Sequence, residues 1–303
     1  MISVLIPVFN KNIFELVLEL SRQLKQNNAG GEIIVFDDHS DFEFREANRE
    51  IISLEAVSYK ELDENYGRIK IRQLLSEAAQ FDWLLFLDGD SKIIEQNFLS
   101  NYITACTKEV DVIVGGRKYE SEVPSECSKR LHWNYGTVRE SVKGSSKAFH
   151  SNNFLIRKDT FTQLNFPGGL SGYGHEDTWM DIQFQKTKKI ILYIDNPVLH
   201  DGVEGTEVFL EKTTQALQNL LVLAKRSDEK LWIRKVRLYK AFYQIKKTGC
   251  SGVYLTLYKL WRSKIDRNLF SCHPSLFFFD CYRLYQLIRL SKQLDVEKPP
   301  GRS

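Results

Sequence analysis

Leu84-Leu85-Phe86-Leu87-Asp88-Gly89-Asp90 is an apolar run that ends in two carboxylates separated by a glycine. The run reads as a buried strand, and the acidic pair stands where that strand leaves its sheet. Strand ends of this kind are where open α/β folds bind ligands. Two hard oxygen donors one residue apart suit a divalent cation that itself carries phosphate oxygens. The same tripeptide also suits a solvated turn after a core strand, since Asp and Gly are common turn residues. The rest of the chain decides between the two.

A length of 303 residues suits one large domain, or one domain with an appendage. With 43% hydrophobic and 27% charged residues, the composition is that of a soluble globular protein able to bury a sizeable core. The net charge of +3 hides an asymmetry. From Lys225 to Ser303 there are 18 Lys and Arg against 6 Asp and Glu, which leaves 24 against 33 in residues 1–224. The tail is strongly basic and the body acidic. The cysteines are Cys106, Cys127, Cys250, Cys272 and Cys281, an odd count without a CxxC spacing. That usage points to a reduced, cytosolic chain and away from a zinc site. No run reaches the roughly 18 apolar residues a membrane span needs. The first nine residues read as a strand, because they lack the basic region and cleavage site of a signal peptide.

Along the chain, Ile2 to Phe9 is nearly continuous in apolar residues, as a buried parallel strand is. Asn12 and Glu15 have the spacing of a capping box, and Ile13, Leu16, Val17, Leu20 and Leu24 follow at helical intervals until Ala29-Gly30-Gly31. Glu32–Phe36 is a second strand, ending in Asp37-Asp38. A weak helix over 43–53, a strand near Val57 and an amphipathic helix carrying Ile71, Leu74, Leu75 and Ala78 lead into Trp83–Leu87. A helix over 96–107 and the strand Val110–Val114 complete a βαβαβαβαβ run. Such alternation implies an α/β fold with a mostly parallel sheet flanked by helices. Beyond Gly116 the pattern breaks into a polar stretch to residue 150, a strand at Phe154-Leu155-Ile156, and a glycine-rich loop over Asn165–Gly174. His175-Glu176-Asp177 opens a helix to about Lys186, and strands follow at Ile190–Ile194 and Val198–His200. From Glu207 the chain is helical, with stripes at Leu217, Leu220, Leu221 and Ala224, at Trp232, Val236, Tyr239 and Tyr243, and further helices over Tyr254–Trp261 and Leu276–Leu290 before Pro299-Pro300-Gly301.

Four polar clusters thus stand at strand ends or a helix start: Asp37-Asp38, Asp88-Gly89-Asp90, Glu176-Asp177 and His200-Asp201. Each alone could be turn or helix-cap decoration. In a parallel sheet the strand ends lie side by side, so together they describe one acidic site. Pro7-Val8-Phe9-Asn10 offers no GxGxxG loop and no GK[ST] follows, which excludes the usual dinucleotide and P-loop sites.

These residues resemble the family 2 inverting glycosyltransferases over about residues 1–204. Ile2–Asn10 resembles their opening strand, Ile33–Ser40 their second strand with its nucleotide-binding aspartates, and Asn65-Tyr66-Gly67 through Arg72 the segment before their central helix. Phe86–Asp90 resembles their DxD element, and Gly174-His175-Glu176-Asp177-Thr178-Trp179 the ED element in a form also seen in galactosyltransferase-type members. The resemblance implies a GT-A fold over 1–204, with a nucleotide-sugar half over 1–116 and an acceptor half over 117–204; the composition and stripes after it describe a basic helical extension over 205–303. The resemblance also implies Mn2+ or Mg2+ held by Asp90, with His200 and less directly Asp88, the latter touching metal or ribose. Asp38, with Asp37 as the fallback, is expected to bind the base, Pro7 and Val8 to line it, Arg68 and Arg72 to meet the diphosphate, and Gly89 to let the backbone approach the nucleotide. Asp177 is the expected general base, with Glu176 orienting the acceptor or replacing it. Gly168–Gly174 could act as a lid, and Trp133 and Trp179 could stack on sugars, Trp179 being equally suited to the core.

The implied reaction moves a sugar, from a UDP-linked donor in the simplest case, to a hydroxyl of a glycan or lipid-linked acceptor, as in surface polysaccharide synthesis. The alternatives are a sugar-phosphate nucleotidyltransferase, whose glycine-rich basic loop is absent here, and a non-catalytic nucleotide-sugar binding module. The tail lies outside the resemblance. Trp232, Tyr239, Tyr243, Tyr254, Tyr258 and Trp261 stand there beside Arg234, Lys235, Arg237, Lys246 and Lys247. Such helices suit peripheral contact with the inner face of a membrane, and equally a bundle with a solvated basic face. No nucleic-acid motif is present.

Overall fold

The structure is a computed structural model. It describes residues 1–26, 30–141, 149–168, 170, 172–225, 233 and 236–296, without the side chains of 295 and 296. Ala29, Gly169, Ser171, Trp232, Arg234, Lys235 and Pro299-Pro300-Gly301, which the sequence reading singled out, lie outside the described residues. The chain divides into two compact units. The first comprises 1–121, 139–166 and 176–202, and the second 122–138, 167–175 and 203–303. The change near residue 202 lies close to the expected boundary at 204, but two stretches of the expected acceptor half, 122–138 and 167–175, belong to the second unit.

Among the described residues the first unit carries ten strands: β1 (Ile2–Val8), β2 (Gly31–Asp37), β3 (Val57–Glu61), β4 (Trp83–Leu87), β5 (Ser91–Lys92), β6 (Val112–Val114), β7 (Arg117–Lys118), β8 (Asn153–Arg157), β9 (Ile191–Tyr193) and β10 (Val198–His200). Seven form one sheet in the order β3-β2-β1-β4-β8-β6-β9, and β5-β10-β7 form a small second sheet. The main sheet is parallel at β1–β2, β2–β3, β1–β4 and β6–β9. Strand β8 runs antiparallel between β4 and β6, the one departure from the expected alternation. Its carbonyls and amides fill the gap that a βαβ crossover would otherwise close, so β4 is paired on both sides.

Strand side chains alternate between the two faces. Ile2, Val4, Ile6, Val8, Leu85 and Leu87 point to a core closed by α1 (Phe14–Gln26) and α4 (Phe98–Ala105). Leu5, Leu84 and Phe86 point to a second core with Ile71 and Leu75 of α3 (Gly67–Ala78), Phe161 of α6 (Lys158–Thr162), and Met180 and Phe184 of α7 (Glu176–Lys186). Both faces are covered, which is why β1 and β4 read as unbroken apolar runs. Asn12 accepts the Phe14 N–H at 2.9 Å, just before the first turn of α1. The weak helix over 43–53 resolves into α2 (Phe42–Arg49) and a 3-10 turn, Glu50–Ser53. Trp179 is buried in the core.

The second unit is helical, with α5 (Arg130–Tyr135), α8 (Thr206–Lys225) and the helices Arg237–Lys247, Ser251–Leu269 and Leu276–Val296. Its core joins Leu131, Phe209, Tyr258, Ile265, Leu269 and Phe279. Tyr258 stacks on Tyr285 at 4.0 Å between ring centres, and the Tyr254 hydroxyl donates to the Cys281 carbonyl at 3.1 Å. These two tyrosines therefore pack inward, not on a basic outer face. Cys127 and Cys272, 145 residues apart, form a disulfide, while Cys106, Cys250 and Cys281 stay free. The expectation of a fully reduced chain is corrected, and with it the ground for a cytosolic setting; a bridge so long in sequence leaves no spacing signal. Among the described residues no helix is long and apolar enough to cross a membrane.

Candidate active site

The C-terminal ends of β2 and β4 and the head of α7 carry the acidic residues, with the end of β1 between the two strands. Left-handed backbone at Asn10 (φ 48°) and His39 (φ 63°), just past β1 and β2, and at His175 (φ 69°), just before α7, marks the same places. Non-glycine residues adopt that conformation at a cost and tend to do so near functional sites.

At the end of β2 both acids are closed. Asp37 is fully buried, accepting the Ser40 N–H at 2.7 Å and the Tyr59 hydroxyl at 3.1 Å. Burial, with the Asp37 charge, pushes the Tyr59 hydroxyl well above its ordinary range. Asp38 accepts the Tyr66 and Gly67 N–H groups at 2.7 and 2.9 Å, one on each carboxylate oxygen, at the start of α3. Burial raises the Asp38 carboxyl, and those two N–H groups pull the other way. The Val8 carbonyl is taken by the Asp38 N–H at 2.8 Å, and Pro7 has no N–H to offer. Phe9, which the sequence reading did not select, is 54% exposed at the end of β1.

At the end of β4 the two acids differ. Asp88 Oδ1 accepts from Arg72 Nη2 at 2.6 Å and Oδ2 from Arg68 Nη2 at 3.0 Å. Arg72 is buried, not a surface arginine, and also donates to the Ser151 carbonyl at 3.3 Å. Arg68 continues to the head of α7, its Nε 2.8 Å from Glu176 Oε1. Arg72, Asp88, Arg68 and Glu176 thus form a chain of alternating charge. Gly89 lies against β1: a side chain there would meet Ile13 Cγ2 at 3.3 Å and the Pro7 carbonyl at 3.4 Å.

Asp90 stands outside that chain. Pairing of β10 with β5 sets His200 opposite Ser91, and the Asp90 carbonyl accepts the Asp201 N–H at 2.7 Å. This brings His200 Nδ1 to 3.5 Å from Asp90 Oδ1. Burial works to raise the Asp90 carboxyl, but the bond and charge of His200, with Arg117 and Arg68 behind it, hold it well below the usual carboxylate range. The His200 ring packs on Tyr119 at 5.0 Å between ring centres, and Tyr119 and Arg117 both bond to Glu140, at 2.5 and 3.1 Å. Burial, with the Glu140 charge, pushes the Tyr119 hydroxyl up. Nothing in the polar stretch 117–150 singled out these three residues. At the head of α7, Asp177 Oδ1 accepts the Thr178 N–H at 2.6 Å and its Oδ2 lies 3.8 Å from His150 Nδ1, another residue without a local signal.

The loop before α7 is held within the helical unit. Asn219 donates to the Tyr173 and Gly174 carbonyls at 3.3 and 2.9 Å. Gly174 has φ +96°, and a Cβ there would sit 2.5 Å from Ala216 Cβ. The described end of the expected lid is therefore pinned to α8.

Among the described residues no group of three or more His, Cys, Asp or Glu is gathered for a metal ion. Asp90 and His200 do offer a carboxylate oxygen and an imidazole nitrogen side by side. Mg2+ and Mn2+ commonly take one or two protein groups and complete their shell with substrate phosphates and water. The donor set fits a cation that arrives with a diphosphate; Asp88 is here bonded to two guanidinium groups.

A family model described as "Glycosyl transferase family 2" matches residues 3–166. Among solved structures, a mannosyltransferase from Pyrobaculum calidifontis in complex with GDP-Man and Mn2+ superposes with a TM-score of 0.57 at 13% identity, over 98% of this chain and 88% of that one. Residues 1–349 of TarS from S. aureus give 0.51 at 15% identity, over 99% and 93%. Glucosyl-3-phosphoglycerate synthase from Mycobacterium tuberculosis, in complex with Mn2+, UDP-Glc and phosphoglyceric acid, gives 0.51 at 14%, over 73% and 79%. Identities this low speak to the fold. A search of curated proteins finds no match.

Proposed function

Because the chain belongs to glycosyl transferase family 2 and has the GT-A fold, we propose that it moves a sugar from a nucleoside diphosphate sugar to an acceptor hydroxyl, with inversion at the anomeric carbon. The observation that carries this reading is the pair Asp90 and His200, a carboxylate and an imidazole side by side past the end of β4, next to Asp88 and Glu176 paired with arginine.

Asp90 and His200 would hold Mn2+ or Mg2+, and when bound the cation neutralises charge growing on the leaving diphosphate. Arg117, whose charge already acts on Asp90, adds positive potential on the same side. Asp177 accepts the proton of the attacking hydroxyl. Glu176, fixed by Arg68, orients the acceptor in the galactosyltransferase-like ED element. Attack opposite the leaving group inverts the centre. The exposed ring of Phe9 suits stacking on the base. Asp38 acts on the nucleotide through the turn it caps, with Asp37 behind it. UDP-sugars are the first donors to test and GDP-sugars the second. The acceptor class is a glycan or lipid-linked hydroxyl, as in surface polysaccharide synthesis.

The test is release of nucleoside diphosphate from a panel of UDP- and GDP-sugars with Mn2+ or Mg2+. Expected is release from at least one donor, abolished by EDTA and by Asp90→Ala, with transferred sugar of inverted configuration. Release of pyrophosphate from a nucleoside triphosphate and sugar phosphate instead would show a nucleotidyltransferase. Donor binding without turnover under any condition would show a binding module.

A further inference from the structure

The helix Ser251–Leu269 shows an outward face that its own unit does not cover. Val253, Leu257, Leu260 and Trp261 are 61%, 53%, 75% and 52% exposed. They recur at intervals of four, three and one, which places them on one stripe of an α-helix. A different side of the helix carries Tyr258, Ile265 and Leu269, all buried in the helical core. Helix formation and packing are thus satisfied without the outer stripe. Exposed apolar residues scattered singly need no explanation, but a contiguous row of four over about two and a half turns does.

Charge indicates what covers the row. Lys259, Arg262, Lys264 and Arg267 lie on the same helix, against the single acid Asp266. The Lys264 ammonium sits 4.9 Å over the Trp261 ring. The chain from Lys225 onward carries 18 Lys and Arg against 6 Asp and Glu. A second copy of this chain would bring like charges together. A soluble polyanion would satisfy the charges but leave four apolar side chains in water. An anionic bilayer surface satisfies both: the apolar row enters the boundary between headgroups and acyl chains, the basic side chains meet lipid phosphates, and the tryptophan takes its usual interfacial place.

We propose that the stripe Val253, Leu257, Leu260 and Trp261, with Lys264 and its basic neighbours, docks the protein on an anionic membrane surface. Docking of this kind would hold the enzyme at lipid-linked acceptors, but the proposal rests on the helix and stands whatever the transferred sugar. The attraction of each basic residue to such a surface falls with salt.

The test is co-sedimentation of the full-length chain with vesicles of 70% phosphatidylcholine and 30% phosphatidylglycerol, beside vesicles of phosphatidylcholine alone. The wild type is expected to partition at least tenfold more strongly to the anionic vesicles, and less so in 0.5 M salt. Leu257→Ser/Leu260→Ser is expected to lower that partition at least tenfold with an unchanged unfolding temperature, because both side chains already face water. Lys264→Gln/Arg267→Gln is expected to remove most of the preference for anionic lipid. Equal partition of wild type and Leu257→Ser/Leu260→Ser overturns the proposal. So does a wild type that ignores both vesicles, or one that forms a dimer in solution which Leu260→Asp dissolves.

Discussion

The end of β4 and the head of α7 each carry two acids, and each pair is divided in the same way. Asp88 and Glu176 meet on Arg68, with Arg72 anchoring Asp88 from behind. Asp90 turns instead to His200, and Asp177 toward His150. The end of β2 provides the contrast, since neither Asp37 nor Asp38 is left open. One residue type meets three surroundings here: guanidinium groups at Asp88 and Glu176, backbone N–H groups at Asp38, and an imidazole at Asp90 and Asp177.

The comparison breaks most visibly at Asp90. Asp90→Ala is expected to lower kcat/KM by about 1,000-fold or more, as loss of a group that supplies several kcal/mol of charge stabilisation would. A loss under tenfold in a steady-state assay would place the cation elsewhere. Arg72→Met leaves Asp88 with one partner in a buried place and is expected to cost about 3 kcal/mol of stability, read by urea unfolding. Arg68→Lys tests the tie itself. Lysine offers one compact charge where arginine reaches two carboxylates. Turnover is expected to fall about 10- to 100-fold through misplacement of Glu176, with the Kd for UDP and Mn2+ unchanged. A raised Kd would make Arg68 a diphosphate ligand. The smallest effect belongs to the closed pair: Tyr59→Phe removes one hydrogen bond to Asp37 and is expected to cost about 1 kcal/mol while transfer stays at the wild-type rate.

Much of the sheet was legible because its strands are buried on both faces and therefore read as apolar runs. Ile2–Val8 and Trp83–Leu87 are of this kind. Strand direction was not, since Phe154-Leu155-Ile156 has the same residue types whether it runs with its neighbours or against them. The acidic clusters were visible as strand-end and helix-start motifs, yet their division was not. A helical arginine such as Arg72 reads as surface, and only the tertiary fold sets it under Asp88. Tyr119, Glu140 and Arg117 belong to an irregular stretch, and their meeting around His200 depends on the small sheet β5-β10-β7. The Cys127–Cys272 bridge and the inward turn of Tyr254 and Tyr258 likewise follow from helix packing rather than from local pattern.

The proposed division of labour between Asp90 and Asp177 is tested most directly with Asp177→Asn, by calorimetric titration with UDP and Mn2+ beside a single-turnover transfer assay. Nucleotide affinity within threefold of the wild type together with a transfer rate lower by about 100- to 10,000-fold is the expected result, because only the proton acceptor has been removed. Full transfer activity, or loss of nucleotide affinity in step with transfer, would contradict it.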